Sequence, residues 1–522
     1  MKSQILILDY GSQYTQLIAR VVRELGVYCE ILPGNASWND IKKLEPKAVI
    51  LSGGPASVYS SDSPKAPFDL FESGVPIFAI CYGMQLVASM LGGKVEGWGS
   101  NESSNLVTSI REFGPAEITI DKAEGIFSSL SEGDRIPVWM SHGDKVTLLP
   151  PGFTITASSS GSPIAAFYSR EKHINGVQFH PEVHHTPSGK KLIENFLFKE
   201  ACLKKDWNMK NFIDETVSRI SNDYPVGNVV CGLSGGVDST VAAQLVSKAI
   251  SDRLYCIFVD NGLLRQNEAD RVMESMEVLG LNVKKVDARD EFLDQLSGVT
   301  DPEKKRKIIG RVFIDVFERE AASISDVKFL VQGTLYPDVI ESVSVIGGAA
   351  TIKSHHNVGG LKENMQLGLI EPLRELFKDE VREIGRTLGI PAVLINRQPF
   401  PGPGLAVRIL GEITNERLNK LRIADSIVEE EVIKAGLWEK LWQTFAVLLP
   451  VNSVGVMGDG RTFDECIALR IVTSRDGMTA DWYLLPEDVL RKISTRIVNE
   501  TPGVNRVVLD ISSKPPATIE WE

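Results

Sequence analysis

The ten residues Cys231-Gly-Leu-Ser-Gly-Gly-Val-Asp-Ser-Thr240 constrain the fold more than any other stretch, because they join an apolar run to a run of helical period through one short loop. Asn228 to Leu233 reads as a buried strand, and Thr240 to Ile250 repeats apolar residues at helical spacing. Gly235 and Gly236 accept backbone angles that aim successive N–H groups into one concavity. The helix adds its free N-terminal N–H groups and the positive end of its dipole. The loop Ser234, Gly235, Gly236, Val237, Asp238, Ser239 and Thr240 is thus read as an anion cradle. Ser234 and Ser239 supply hydroxyl donors, and Asp238 offers a carboxylate where a phosphate-bridging Mg2+ would need one. A plain helix start capped by Asp238 is the alternative, but it leaves the strand, paired glycines and hydroxyls as coincidence.

At 522 residues the chain exceeds one core, and ordinary domain sizes give about three. The net charge of −12 disfavours a general grip on nucleic acid, so no nucleic-acid partner is expected. No apolar run approaches the roughly 18 to 20 residues of a membrane helix, so no membrane partner is expected either. Residues 1–8 are too short for a signal peptide and read as a first strand. Six cysteines, none in a C-x-x-C pair, argue against a disulfide framework or zinc ribbon and fit a reducing, cytoplasmic setting.

The N-terminal third alternates strands and helices: Ile5 to Leu8 before a helix from about Tyr14, Ala48 to Leu51 before Ser52-Gly-Gly-Pro55, and Ile77 to Ile80 before a helix from about Tyr82. That alternation predicts a doubly wound, mostly parallel α/β sheet with ligands beyond the carboxyl ends of its strands. Cys81 falls at the turn between strand and helix, where a nucleophile is exposed and the helix terminus makes a thiol more acidic. His180 and Glu182, two apart in an extended segment expected to run from Gly176 to Glu182, can face the same way as base and orienter. The N–H groups of Gly54 and Tyr82 are candidate oxyanion donors. Cys231 and Cys256, inside apolar strands, are expected to be inert core. His184 and His185 lack acidic or cysteine partners in register, so no metal cluster is expected there.

The combination G-G-P, C-Y-G-M-Q and H-P-E resembles the class I glutamine amidotransferases over residues 1 to about 198. The resemblance implies glutamine hydrolysis through a thioester on Cys81, with Gln85 and the loop Ser141-His142-Gly-Asp144 contacting the glutamine. Ala79 departs from the glycine often found at this elbow and implies a tighter fit. S-G-G-x-D-S without a Walker lysine resembles the phosphate loop of the ATP pyrophosphatases, which cleave ATP to AMP and pyrophosphate and adenylate a carbonyl oxygen. A strand ending at Val259 runs into Asp260-Asn-Gly-Leu-Leu-Arg265, which is either an adenine site or an ordinary Asn-Gly turn. Pro302 to Lys307 is a basic run, either a solvated face or a phosphate contact. Ile352 to Gly360 reads as a lid in which Lys353, His355 and His356 are candidate phosphate donors. Lys378 opens a helix and adds a cation.

From Pro399-Phe-Pro-Gly-Pro-Gly-Leu405 onward the character changes. Three prolines in five residues mark a rigid linker or turn, and helices near 415–435 and 486–499 with strands near 453–456, 468–472 and 506–510 make an α+β domain. The fold expected is therefore two doubly wound α/β domains, 1–198 and 199–397, followed by an α+β domain at 398–522. I-K-S-H-H-N-V-G-G, R-Q-P-F-P-G-P-G-L and the tail K-P-P-A-T-I-E-W-E together resemble the glutamine-hydrolysing GMP synthetase family over the full length. That resemblance implies XMP, ATP and glutamine as substrates, Mg2+ as cofactor, XMP contacts at Arg306, Gln443, Asp459, Lys514 and Glu520, and a homodimer formed by the last domain.

Overall fold

A computed structural model describes residues 4–97, 112–343, 367–474, 477 and 479–522. The chain divides into two compact units, Met1–Asn208 and Met209–Glu522. Lys353, His355 and His356 lie outside the described residues.

The first unit is built on a nine-stranded sheet. Cys29–Pro33, Ile5–Asp9, Ala48–Leu51, Ile77–Ile80 and Ile174–Val177 lie side by side and parallel. All but the edge strand Cys29–Pro33, which is half-buried after Cys29, are almost wholly buried. Beyond Ile174–Val177 the sheet turns antiparallel through Ala166–Ser169, Thr154–Ser159, Glu112–Ile120 and Arg135–His142. Ile5–Asp9, Ala48–Leu51 and Ile77–Ile80 were legible from the strand and helix alternation and Cys29–Pro33 was not, whereas the antiparallel half has mixed polar and apolar strands with no helices between them. Gly176 sits at the seam opposite Phe167, whose ring would lie 2.4 Å from an added Cβ. Two features assigned to regular elements differ. The strand carrying the H-P-E motif ends at Val177, so His180 and Glu182 stand on the loop beyond it. Ser141 and His142 close the strand Arg135–His142 instead of lying in a loop. Residues 199–208 fold back on this unit: the N–H groups of Asp206 and Trp207 donate to the Gly26 carbonyl, and the Trp207 ring lies 4.8 Å from Tyr28.

The second unit holds a five-stranded, wholly parallel sheet ordered Val283–Asp287, Leu254–Asp260, Asn228–Leu233, Val327–Val331, Gly368–Ile370. Strand order reverses between Asn228–Leu233 and Val327–Val331, which opens a crevice at the carboxyl end of Asn228–Leu233. The phosphate-loop stretch begins there. The same unit carries a hairpin of two fifteen-residue strands, Gln443–Met457 and Gly460–Ser474, flanked by Ala480–Trp482 and Val504–Asp510. The short β segments read from sequence are thus parts of one long ribbon. Helices Asn415–Lys434 and Glu487–Glu500 pack with it, and one apolar cluster runs from Val230 and Ile257 through Leu405, Ala406 and Ile409 to Leu448, Ile467 and Ile493. The proline-rich stretch, expected as a rigid linker or turn, is half-buried at its prolines, exposed at Gly402 and buried at Gly404 and Leu405. Gly404 has φ 61°, and an added Cβ would meet the Leu263 carbonyl at 2.4 Å.

Replacing Gly176 by Val should overpack the seam against Phe167 and cost about 1–3 kcal/mol. A lowered urea midpoint for the first unit, with the second unit's transition unmoved, is the expected result.

Candidate functional site

Two constellations assemble, one in each unit. In the first, the strand Ile77–Ile80 stops at Cys81, which takes φ 52° and ψ −104° before the helix Tyr82–Met90 begins. A positive φ on a non-glycine residue stores strain, and the turn is held by the Cys81 N–H donating to the Val177 carbonyl at 2.8 Å. Gly83 allows the helix to start this close to the sheet, because a Cβ there would meet the Leu51 carbonyl at 2.7 Å. Cys81 is 5% exposed, and its thiol lies 3.8 Å from the Ser141 carbonyl.

His180 and Glu182 reach this thiol from the loop after Val177. His180 Nδ1 is 2.7 Å from Glu182 Oε1, with both side chains buried. Burial works against charge on the imidazole, yet the Glu182 carboxylate and the hydrogen bond to Cys81 prevail and hold the His180 pKa well above the ordinary value. The loop is pinned by the His180 N–H donating to the Trp139 carbonyl and by the Thr186 hydroxyl donating to the His180 carbonyl. Gly53 and Gly54 flank the pair. A Cβ on Gly53 would lie 3.0 Å from His180 Cε1, and one on Gly54 would lie 2.6 Å from the Tyr10 carbonyl. Tyr82 turns its own hydroxyl away to donate to the Pro64 carbonyl at 2.7 Å, which leaves its backbone as the part near the thiol.

Gln85 and His142 converge on one carbonyl. Gln85 Nε2 donates to the Asp144 carbonyl at 2.8 Å, and His142 Nδ1 lies 3.0 Å from the same oxygen. His142 Nε2 pairs with Glu112 Oε2 at 3.2 Å, and that contact is the main reason the Glu112 carboxyl sits below its usual range. Asp144 is fixed in turn by the Ser57 hydroxyl at 2.6 Å. Glu112, Ser57 and Gln178 were not found from sequence. Gln178 alone left a signal, standing two residues before His180. His185 packs against Trp139 at 4.4 Å, and among the described residues no group of metal ligands gathers.

In the second unit the loop turns at Gly235, where φ is 72° and a Cβ would strike Val272 at 2.7 Å. The helix Val237–Ile250 follows, with Gly236 as its N-cap. Ser234 and Ser239 hydroxyls lie 3.2 Å apart, and Thr240 donates to the Gly236 carbonyl at 2.9 Å. Lys378, first residue of the helix Lys378–Thr387, brings Nζ to 3.4 Å from Asp238 Oδ2. Asp238 Oδ1 is buried without a protein partner. Val259 lies beside the loop's strand at the carboxyl end of Leu254–Asp260. Arg397, missed from sequence, donates to the Gly235 carbonyl at 2.7 Å and pairs with Glu268. Cys231 and Cys256 face each other in register and are buried, and their mutual hydrogen bond together with burial raises the Cys231 thiol pKa.

Of the five residues that the resemblance assigned to XMP, Gln443 and Glu520 come together at 3.0 Å, with Arg408 in two bonds to the Glu520 carboxylate. Arg306 meets the Glu522 carbonyl, and Lys514 Nζ donates to the Gly477 carbonyl at 2.7 Å. Asp459 stands exposed in the turn of the long hairpin, in none of these contacts. The basic run at 302–307 is the first turn and a half of the helix Pro302–Ala322. Its Lys304, Arg306 and Lys307 are exposed, as a solvated face requires, but Lys305 is fully buried, donating to the Ala406 and Ile409 carbonyls and pairing with Glu522.

Glu182→Gln should lower glutamine-dependent turnover by about a thousandfold or more, because a neutral amide no longer fixes the imidazole tautomer. The carboxylate is also the chief group raising the His180 pKa, so the variant imidazole should lose its proton at lower pH than the native one. Proton NMR titration of His180 checks the direction.

The family model for class-I glutamine amidotransferase matches residues 6–200, that for NAD synthase residues 207–308, and that for the GMP synthase C-terminal domain residues 430–521. The glutamine-hydrolysing GMP synthase of Chlorobium luteolum is 57% identical over 526 aligned residues, covering 99% of either chain. Those of Maridesulfovibrio salexigens and Caldanaerobacter subterraneus are each 56% identical, covering 100% of this chain and 99% of theirs. Identity of this order across the whole length places the chain in the glutamine-hydrolysing GMP synthase family.

Proposed function

We propose that the chain makes GMP by ATP-dependent amination of XMP with glutamine as nitrogen donor, the cysteine centre and the phosphate loop dividing the chemistry. One observation carries this reading: both centres stand in a single chain whose full-length relatives are glutamine-hydrolysing GMP synthases. It is a carbon–nitrogen ligase of purine biosynthesis, with ATP as co-substrate.

At the first centre the Cys81 sulfur attacks the side-chain amide carbon of glutamine. His180 takes the thiol proton and returns it to the departing ammonia, while Glu182 holds the ring in one tautomer. The oxyanion falls to the N–H groups of Gly54 and Tyr82, and Gln85 and His142 shape the glutamine pocket. Water then releases glutamate from the thioester. At the second centre the phosphates of ATP lie in the loop Ser234 to Thr240, with Val259 near the adenine and Lys378 as a cation. The XMP oxygen at C2 attacks the α-phosphorus and pyrophosphate leaves. Ammonia adds at C2, and AMP departs with the oxygen. Arg306, Gln443, Asp459, Lys514 and Glu520 are the residues assigned to XMP. The unpartnered Asp238 Oδ1 fits a bound Mg2+, which would supply charge neutralisation at the phosphate oxygens.

Within the second unit we place a boundary near residue 398, which separates a phosphate-loop domain from a domain at 398–522. The last is assigned to homodimerisation. Val454, Val456 and Phe463 support this, being 60, 74 and 65% exposed on one face of the long hairpin. The six cysteines, none bonded to another, support a cytoplasmic location, and among the described residues no helix is long and apolar enough to cross a membrane.

The direct test follows AMP, pyrophosphate and GMP from ATP and ammonium, with and without XMP. XMP-dependent release matched by GMP is expected, and release indifferent to XMP would reassign the acceptor. Cys81→Ala should abolish glutamine-dependent GMP formation, by roughly 10,000-fold or more, while ammonia still supports the reaction. Equal loss of both would refute two separate centres. Asp238→Ala should lower both activities on the order of 100-fold, and undiminished ammonia-dependent turnover would reject its role.

A further inference from the structure

Gln178 belongs to the H-P-E segment but has no part in the chemistry described so far. Its side chain is fully buried, and a buried amide must find partners for both ends. It does so in a directed way. Its Nε2 donates to Cys81 Sγ at 3.7 Å, and its Oε1 accepts from Gln85 Nε2 at 3.4 Å. Gln85 in turn donates to the Asp144 carbonyl, the oxygen that also engages His142. An acceptor at the Gln85 end fixes which end of the Gln178 amide faces the sulfur. Reversing the amide would set two donors against each other at Gln85 and leave the sulfur facing a carbonyl oxygen. The sulfur is therefore flanked by a donor from Gln178 and by the imidazole of His180, while the Ser141 carbonyl on its third side can only accept.

We propose that Gln178 is a further residue of the glutaminase centre, whose amide N–H holds the Cys81 sulfur toward His180 and stabilises negative charge on it, in register with the glutamine pocket through Gln85. This rests on the assignment of Cys81 as nucleophile. A dipole presented to an anionic sulfur in a site this closed to water is worth more than the same dipole in solvent. A thiolate that loses it forms less readily, and the loss is largest where the thiol is only partly ionised. The alternative role, filling space in the core, predicts destabilisation with no change in the chemistry of the sulfur.

The experiment alkylates the full chain with iodoacetamide across pH 6 to 10 and reads Cys81 alone by peptide mass spectrometry, because Cys202 is exposed and will react as well. Gln178→Glu keeps the shape but replaces the donor with an acceptor, and Gln178→Met keeps the volume without the donor. Both should alkylate Cys81 about tenfold more slowly near pH 7, with the difference closing toward pH 10. Glutamine-dependent kcat should fall about tenfold or more, with the KM for glutamine changed far less, since charge on sulfur develops in the reaction and not on binding. Identical alkylation profiles in native chain and both variants would overturn the proposal, even if thermal stability fell. If Cys81 is alkylated normally but Cys81→Ala leaves glutamine-dependent turnover intact, the assignment of the nucleophile fails instead.

Discussion

Both centres depend on the same constraint: a buried parallel strand that hands the chain to a helix within one to three residues. Such a turn has no room for a side chain on its inner side, and its N–H groups all point past the sheet edge. At Ile80–Cys81–Tyr82 the constraint is met by a strained cysteine, with Gly83 letting the helix close on Leu51. At Leu233–Val237 it is met by Gly235 at positive φ, with the strain carried by a residue that tolerates it. The difference follows from what each turn must present. The first offers a side chain to a reacting carbon, and the second offers its backbone to anions.

A second constraint governs the unit of residues 209–522, which buries Lys305, Arg408 and Arg470 completely. Each charge needs partners, and the segment from Ser512 to Glu522 supplies most of them. Arg470 donates to the Ser512, Thr518 and Ile519 carbonyls, Arg408 forks onto Glu520, and Lys305 meets Glu522. Trp521 adds a bond from Nε1 to Asp510 Oδ2. A segment that reads as an unusual tail is thereby ordered by electrostatics more than by apolar burial.

These cases divide what was legible in the sequence from what was not. Strand, turn and helix alternation located three parallel strands of the first sheet, the strands Asn228–Leu233 and Leu254–Asp260 of the second, and the positions of Cys81 and of the loop at Ser234, since period and punctuation are local properties. His180 and Glu182 were found because a two-residue spacing on an extended segment survives the early end of the strand at Val177. The Glu112–His142 pair, the Arg397 bond to Gly235 and the burial of Lys305 join residues 30 to more than 200 positions apart, or depend on charges that composition reads as surface. The antiparallel strands of the first unit escaped for a related reason. Glu112–Ile120 and Arg135–His142 are half-solvated strands of alternating burial, whose pairing is decided by partners elsewhere.

The ring of Phe400 shows what such distant pairings accomplish. The guanidinium carbons of Arg265, Arg397 and Arg408 lie 4.6, 5.9 and 5.1 Å from its centre. Three cations crowd one aromatic ring only because each has its own carboxylate: Asp425 for Arg265, Glu268 for Arg397 and Glu520 for Arg408. Burial, with Arg265 adding to it, presses the Arg397 pKa down to about 10 against the opposing pull of the Glu429 carboxylate. Taking away one carboxylate leaves a buried charge uncompensated, at about 3–5 kcal/mol by the usual cost of such a break. Glu520 therefore serves the fold whatever ligand it meets. Through Phe400 the arginine that holds Gly235 and the arginine that holds Glu520 share one ring, so the phosphate loop and the tail are parts of a single electrostatic assembly.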